Sequence, residues 1–218
     1  MKLSFEEFLK SIAPPTPERY TCTPEHVSRM KQIREVLCPG VSWDDETEQI
    51  YLNGVKYFTK DPSCRWDLEK GIYLYGVFGV GKTLFFKVFR YYLNAYGAGI
   101  SAITADELLA EYALNGFAAI MKYSAVREMP GFKPTELLID DLGQGANTVK
   151  HFGSHTDVIV EILQRRYRAF TDAYKRTFIS TNLEPREIKE QYGEYISSRM
   201  QEMFNIILFP GTDKRKTK

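Results

Sequence analysis

The sequence predicts a three-layer α/β/α sandwich built on a parallel sheet, with a small α+β appendage ahead of it. Three observations carry that prediction. From Trp66 onward, short apolar runs alternate with stretches of helical periodicity, the pattern of a parallel sheet covered on both faces. The string GVFGVGKT, Gly76 to Thr83, stands between one such run and a helix. Further along, the run Leu137-Leu138-Ile139 ends in the acid pair Asp140-Asp141. In open parallel sheets the carboxyl ends of the strands gather the ligand-binding groups, so the loop and the acids are expected at one place.

The appendage occupies residues 1–65 and the sandwich residues 66–218. A short helix is expected over residues 4–12, then a proline-rich break at 13–17, then a second helix from about Thr23 to Val36. Ile50-Tyr51-Leu52 and Val55-Lys56-Tyr57-Phe58 flank Asn53-Gly54, a dipeptide suited to a tight hairpin turn, so a hairpin is expected there. The segment is too small for a strong core of its own; it either packs on the larger domain or grips a partner.

In the sandwich, strands are expected at 72–75, 100–104, 136–140, 177–180 and 206–209. Helices are expected to start at Thr83, Ala105, near Phe117, near His155, at Pro185 and near Tyr195.

The glycine-rich string fits the phosphate-loop pattern G-x-x-x-x-G-K-[ST], with Gly76, Gly81, Lys82 and Thr83 in the required places. Its backbone, through Val77, Phe78, Gly79, Val80 and on to Leu84, would turn N–H groups toward phosphate oxygens at a helix N-terminus. Lys82 would neutralise the β and γ phosphates of ATP. The Thr83 hydroxyl is a hard oxygen suited to Mg²⁺, which keeps several waters and bridges phosphates. Asp140, at a strand end, would hold that ion directly or through water. Asp141 is the candidate for orienting and activating the attacking water, with an ordinary loop acid as its alternative reading. Asn182, after Ser180-Thr181, is a neutral amide that can bond both a lytic water and a γ-phosphate oxygen.

Composition limits the rest. The chain has 218 residues, 44% hydrophobic and 26% charged, enough for a sizeable core. Lys and Arg total 29 against 28 for Asp and Glu, so any nucleic-acid contact must come from a local patch. Cys22, Cys38 and Cys64 are odd in number and far apart, which argues against a disulfide framework and for a reducing compartment; with His26 they fit no zinc-ligand spacing. No apolar run is long enough to cross a membrane and the N-terminus does not read as a signal peptide, so a cytoplasmic protein is expected.

Five strings in order, GIYLYGVFGVGKT, ELLIDDLG, KRTFISTNL, YGEYISSRM and GTDKR, resemble the AAA+ ATPases of the DnaC/DnaI/IstB group. The resemblance runs from about Gly71 to the C-terminus. It implies a P-loop NTPase core with little or no lid domain, in which Asp140 is the Mg²⁺-associated Walker B acid, Asp141 the catalytic acid and Asn182 the sensor of the γ-phosphate. By the same resemblance Arg199, in Ser197-Ser198-Arg199-Met200, matches an arginine finger acting on a neighbouring subunit, and Arg215 matches the second sensor. Many AAA+ proteins carry Asp-Glu where this chain carries Asp-Asp, a feature similar to the loader and transposition subgroup.

The function implied is a Mg²⁺-dependent ATPase that self-associates into a ring or filament, contacts DNA, expected to be single-stranded, and acts on a replicative helicase. The alternative is an IstB-like transposition helper with a transposase as partner. A small-molecule kinase and a nucleotide-gated scaffold with negligible turnover are further readings of the same loop. Cations and aromatics that could touch DNA are Lys122, Tyr123, Arg127, Phe132 and Lys133, and Arg165, Arg166, Tyr167 and Arg168; both groups can equally be solvated helix faces.

Overall fold

The apolar runs become a five-stranded parallel sheet whose inner strands, Gly71–Tyr75, Leu137–Leu142 and Thr177–Thr181, are covered on both faces, which demands side chains that pack in both directions. A computed structural model describes residues 21–95, 97–143, 148–151 and 154–214. The helix expected over 4–12, the proline break and Arg215 lie outside the described residues. The strands are β1 (Gly71–Tyr75), β2 (Ser101–Thr104), β3 (Leu137–Leu142), β6 (Thr177–Thr181) and β7 (Phe204–Leu208), in the order β2-β3-β6-β1-β7. Alternation along β1 is plain: Ile72 and Leu74 enter one core, Tyr73 the other.

One face of the sheet is closed by α1 (Pro24–Leu37), α2 (Asp45–Phe58) and α3 (Lys82–Asn94). Met30, Tyr51, Val55 and Tyr57 from the N-terminal segment share a fully buried cluster with Phe85 and Phe89 of α3 and Phe178 of β6. The opposite face is closed by α4 (Ala105–Asn115), α5 (Phe117–Ser124), α6 (Val158–Ala173), α7 (Pro185–Tyr192) and α8 (Glu194–Met203). A small antiparallel pair, β4 (Thr148–His151) with β5 (Ser154–Asp157), precedes α6. The helix expected near His155 therefore starts at Val158, where Asp157 caps it by accepting from the Val160 N–H at 3.1 Å.

The hairpin expected around Asn53-Gly54 is instead the body of α2. Asp44 caps this helix by accepting from the Thr47 N–H at 2.8 Å, and three acids fill its first turn. The turn dipeptide loses to packing: Tyr51, Gly54 and Val55 fall on one helical face against α3. A Cβ on Gly54 would come within 2.6 Å of Phe89 Cζ, so the glycine serves a close helix crossing rather than a turn.

Arg166, a candidate DNA contact, is fully buried. Its guanidinium donates to Thr177 Oγ1 at 2.8 Å and to the carbonyls of Thr135 at 2.9 Å, Arg176 at 2.7 Å, and Tyr123 and Lys175 at 3.3 Å. Burial pulls its pKa down to about 10, still well above neutrality. It secures the loops at the amino ends of β3 and β6 and cannot reach a nucleic acid.

Candidate functional site

The phosphate loop is placed by the junction of β1 and α3. β1 ends at Tyr75, Gly76 turns the chain away, and α3 begins at Lys82. Gly76 is required sterically: its φ is +151°, and a Cβ there would meet the Phe209 carbonyl oxygen at 2.5 Å. Lys82 is 6% exposed, and its ammonium donates to the carbonyls of Gly76 at 2.7 Å and Val77 at 2.9 Å and to Asn182 Oδ1 at 2.8 Å. Three neutral oxygens orient a full positive charge at the mouth of a helix N-terminus, an arrangement suited to a polyphosphate. Phe78, Gly79, Gly81, Thr83 and Leu84 line the cleft above it, while Val80 is buried below.

The two acids come from β3. A regular strand would send neighbouring side chains to opposite faces. Between Ile139 and Leu142 the register with β6 shifts, and Asp141 takes a left-handed backbone, φ +56°. As a result Asp141 lines the cleft while Asp140 Oδ1 accepts from the Thr83 hydroxyl at 3.1 Å. The left-handed region tolerates Asp and Asn better than longer acids, a physical reason for aspartate at the second position in this chain.

Ser180, to which no sequence motif assigns a role, ties the pair together. It is fully buried; its hydroxyl donates to Asp140 Oδ1 and accepts from the Asp141 backbone N–H at 3.0 Å. Its one sequence signal was its place at a strand end, two residues before Asn182.

The acid, hydroxyl and lysine set fits Mg²⁺ with a triphosphate. Thr83 Oγ1 and Asp140 Oδ1 present two adjacent hard oxygens, sufficient for an ion that retains water. Among the described residues no group of three or more His, Cys, Asp or Glu could form an all-protein metal cage. The three cysteines are free thiols.

The cleft has a volume of about 680 Å³, and a second wall faces it from the N-terminal segment. Leu37, Cys38, Val41 and Trp43, from the end of α1 and the link to α2, form an apolar surface, with Lys87 and Lys214 at the rim. These residues lie far from the phosphate loop in sequence, so no local motif announces them. Among the described residues Arg199 is not brought to this cleft: its guanidinium stacks on Tyr195 at 3.6 Å and Tyr167 at 4.4 Å from the ring centroids.

Of the remaining candidate DNA contacts, Lys122 pairs with Glu111 at 2.8 Å and Tyr123 donates to the same carboxylate at 2.6 Å. Arg165 pairs with Glu161 at 2.6 Å. Arg127, Lys133 and Arg168 are exposed.

No protein-family model and no curated protein sequence matches the chain. Solved structures do: the chain has the α/β fold of the AAA+ P-loop ATPases. DnaI is similar over 86% of this chain and all of its own, with a TM-score of 0.55 and 22% identity. The DnaC helicase loader is similar over 85% of this chain and 99% of its own, with a TM-score of 0.53 and 16% identity. The replication initiator DnaA, bound to AMPPCP and single-stranded DNA, is similar over 88% of this chain and 52% of its own, with a TM-score of 0.54 and 13% identity. Among the described residues no helix is long and apolar enough to cross a membrane.

Proposed function

We propose that this protein binds and hydrolyses ATP with Mg²⁺, self-associates, and uses nucleotide state to act on a replicative helicase at single-stranded DNA. The observation that carries the reading is the convergence of Lys82, Thr83, Asp140 and Asn182 through direct hydrogen bonds at the end of a parallel sheet.

Bound Mg²⁺ would neutralise charge on the β and γ phosphates, with Thr83 and Asp140 holding it. Lys82 exchanges its carbonyl partners for phosphate oxygens. Asp141 orients the attacking water and accepts its proton, and Asn182 positions that water against the γ-phosphate. The apolar wall of Leu37, Cys38, Val41 and Trp43 takes the base. Arg199, in the string Ser197-Ser198-Arg199-Met200 that resembles an arginine-finger position, would serve the cleft of a neighbouring subunit. A guanidinium there would meet the charge that spreads over the γ-phosphoryl oxygens in the transition state.

Similarity in fold to DnaI and to the DnaC helicase loader supports the helicase as partner. Exposed Arg127, Lys133 and Arg168 are the cations offered for DNA backbone contact.

The test combines equilibrium ATP binding with recovery of partners from the native host, using the full-length protein and a Lys82→Ala control. Magnesium-dependent ATP binding and ATP-dependent recovery of a replicative helicase, both lost in the control, are expected. Undiminished ATP affinity in Lys82→Ala would refute the site, and recovery of a transposase instead would replace the helicase.

A further inference from the structure

Two cations stack on Trp43, and one of them borders the cleft. Arg34 lies 5.2 Å from the indole centroid on the buried side, where it also covers Tyr51 at 4.7 Å and pairs with Glu48. Lys214 has its ammonium 4.8 Å from the same centroid, and both Lys214 and Trp43 line the cleft. The Lys214 backbone N–H donates to the Gly79 carbonyl in the phosphate loop at 3.1 Å, and its ammonium lies 3.7 Å from Asp44 Oδ2. Lys214 therefore joins three parts of the molecule: the phosphate loop, the indole on the apolar wall, and the residue that caps α2.

A purine base and an ammonium use the same π face of an indole, the first by stacking and the second by cation–π attraction. They cannot occupy it together. Within the cleft Trp43 is the large aromatic surface outside the phosphate loop, with the edge of its indole against Gly81; the other aromatic, Phe78, belongs to the loop itself.

We propose that Trp43 is the platform for the nucleobase, that the Lys214 ammonium holds this platform when no base is on it, and that an incoming base displaces the ammonium. The displacement would also loosen Lys214 from Asp44, so that the presence of a base is transmitted to the start of α2. The inference rests on the nucleotide-binding reading of the cleft. It makes Lys214 a competitor of the base, whereas a cation serving the phosphates would favour every polyphosphate alike.

The experiment compares two ligands on the full-length protein by titration calorimetry: ATP with Mg²⁺, and inorganic tripolyphosphate with Mg²⁺, which carries the phosphates without a base. Lys214→Met is expected to raise the ratio of ATP affinity to tripolyphosphate affinity about 3-fold, the scale of a cation–π contact at a partly exposed site. Trp43→Leu should lower the same ratio, and adding Lys214→Met to Trp43→Leu should change it no further. An equal shift for both ligands in Lys214→Met would overturn the exchange, since it would make Lys214 a phosphate ligand.

Trp43 emission, isolated by Trp66→Phe, gives a second readout. It should change with ATP and stay constant with tripolyphosphate, and equal responses would count against the platform. If the wild-type protein binds neither ligand, the nucleotide reading itself fails and this inference falls with it. Binding of both with an unchanged ratio in every variant defeats the exchange alone.

Discussion

The Lys82 ammonium donates to Asn182 Oδ1 at 2.8 Å, joining the first turn of α3 to the residue just past β6. The contact places the proposed phosphate-binding cation and the proposed water-positioning amide within one hydrogen bond of each other. Asn182→Ala should leave ATP affinity little changed, because the Lys82 charge and the loop that would meet the phosphates are untouched. Turnover should fall by roughly 10²-fold, the cost typical of losing one aligned polar group from a transition state. Steady-state hydrolysis beside equilibrium binding measures both, and a parallel loss of binding would make Asn182 a ligand for ground-state phosphate.

Asp141 holds a left-handed backbone that disfavours long side chains. Asp141→Asn should keep the fold and the nucleotide affinity while abolishing turnover, since Asn accepts this backbone and cannot take a proton. Asp141→Glu should lower stability by roughly 1 kcal/mol through backbone strain. Thermal unfolding ranks them: Asn at or above the wild type, Glu below. A glutamate variant as stable and as active as the wild type would show that the bend in β3 does not select the shorter acid.

Ser180→Ala removes the hydroxyl that bonds Asp140 and leaves the Asp141 N–H without its acceptor. A stability loss of about 1–3 kcal/mol is expected from one unsatisfied buried donor. Hydrolysis should need more Mg²⁺ for half-maximal rate, because Asp140 loses the contact that orients it beside Thr83. Denaturant titration and a magnesium dependence separate the two effects.

Gly54→Ala is a test of helix against hairpin. Alanine is the better helix former, yet its methyl would collide with Phe89 at 2.6 Å. A loss of about 1–3 kcal/mol is expected from overpacking. A gain would mean that α2 does not cross α3 as closely as the structure places it.

The inner strands were legible because cover on both faces favours apolar runs, and the phosphate loop because its pattern is local in sequence. Lys82 and Thr83 stood out in the loop pattern and Asp140 and Asn182 at strand ends, and the structure joins them in two hydrogen-bonded pairs. What could not be read was tertiary. Gly54 looks like a turn residue until Phe89 is beside it; Arg166 looks like a surface cation until four carbonyls and a hydroxyl are found around it. The apolar wall of the cleft assembles Leu37, Trp43 and Lys214 from distant parts of the chain, and no spacing rule links them. Ser180 was visible as a strand-end hydroxyl, but its role depends on a register shift that propensity does not encode.

Arg166 ties the carbonyls of Tyr123, Thr135, Lys175 and Arg176 to a single guanidinium. The end of α5, the approach to β3 and the approach to β6 are thereby stitched at the rim of the sheet opposite the phosphate-loop cleft. Opening any one of these segments would strand a buried charge, so they should exchange their amide hydrogens as one cooperative unit. Slow, concerted exchange there would leave the cleft end free to change shape without loosening the rest of the molecule.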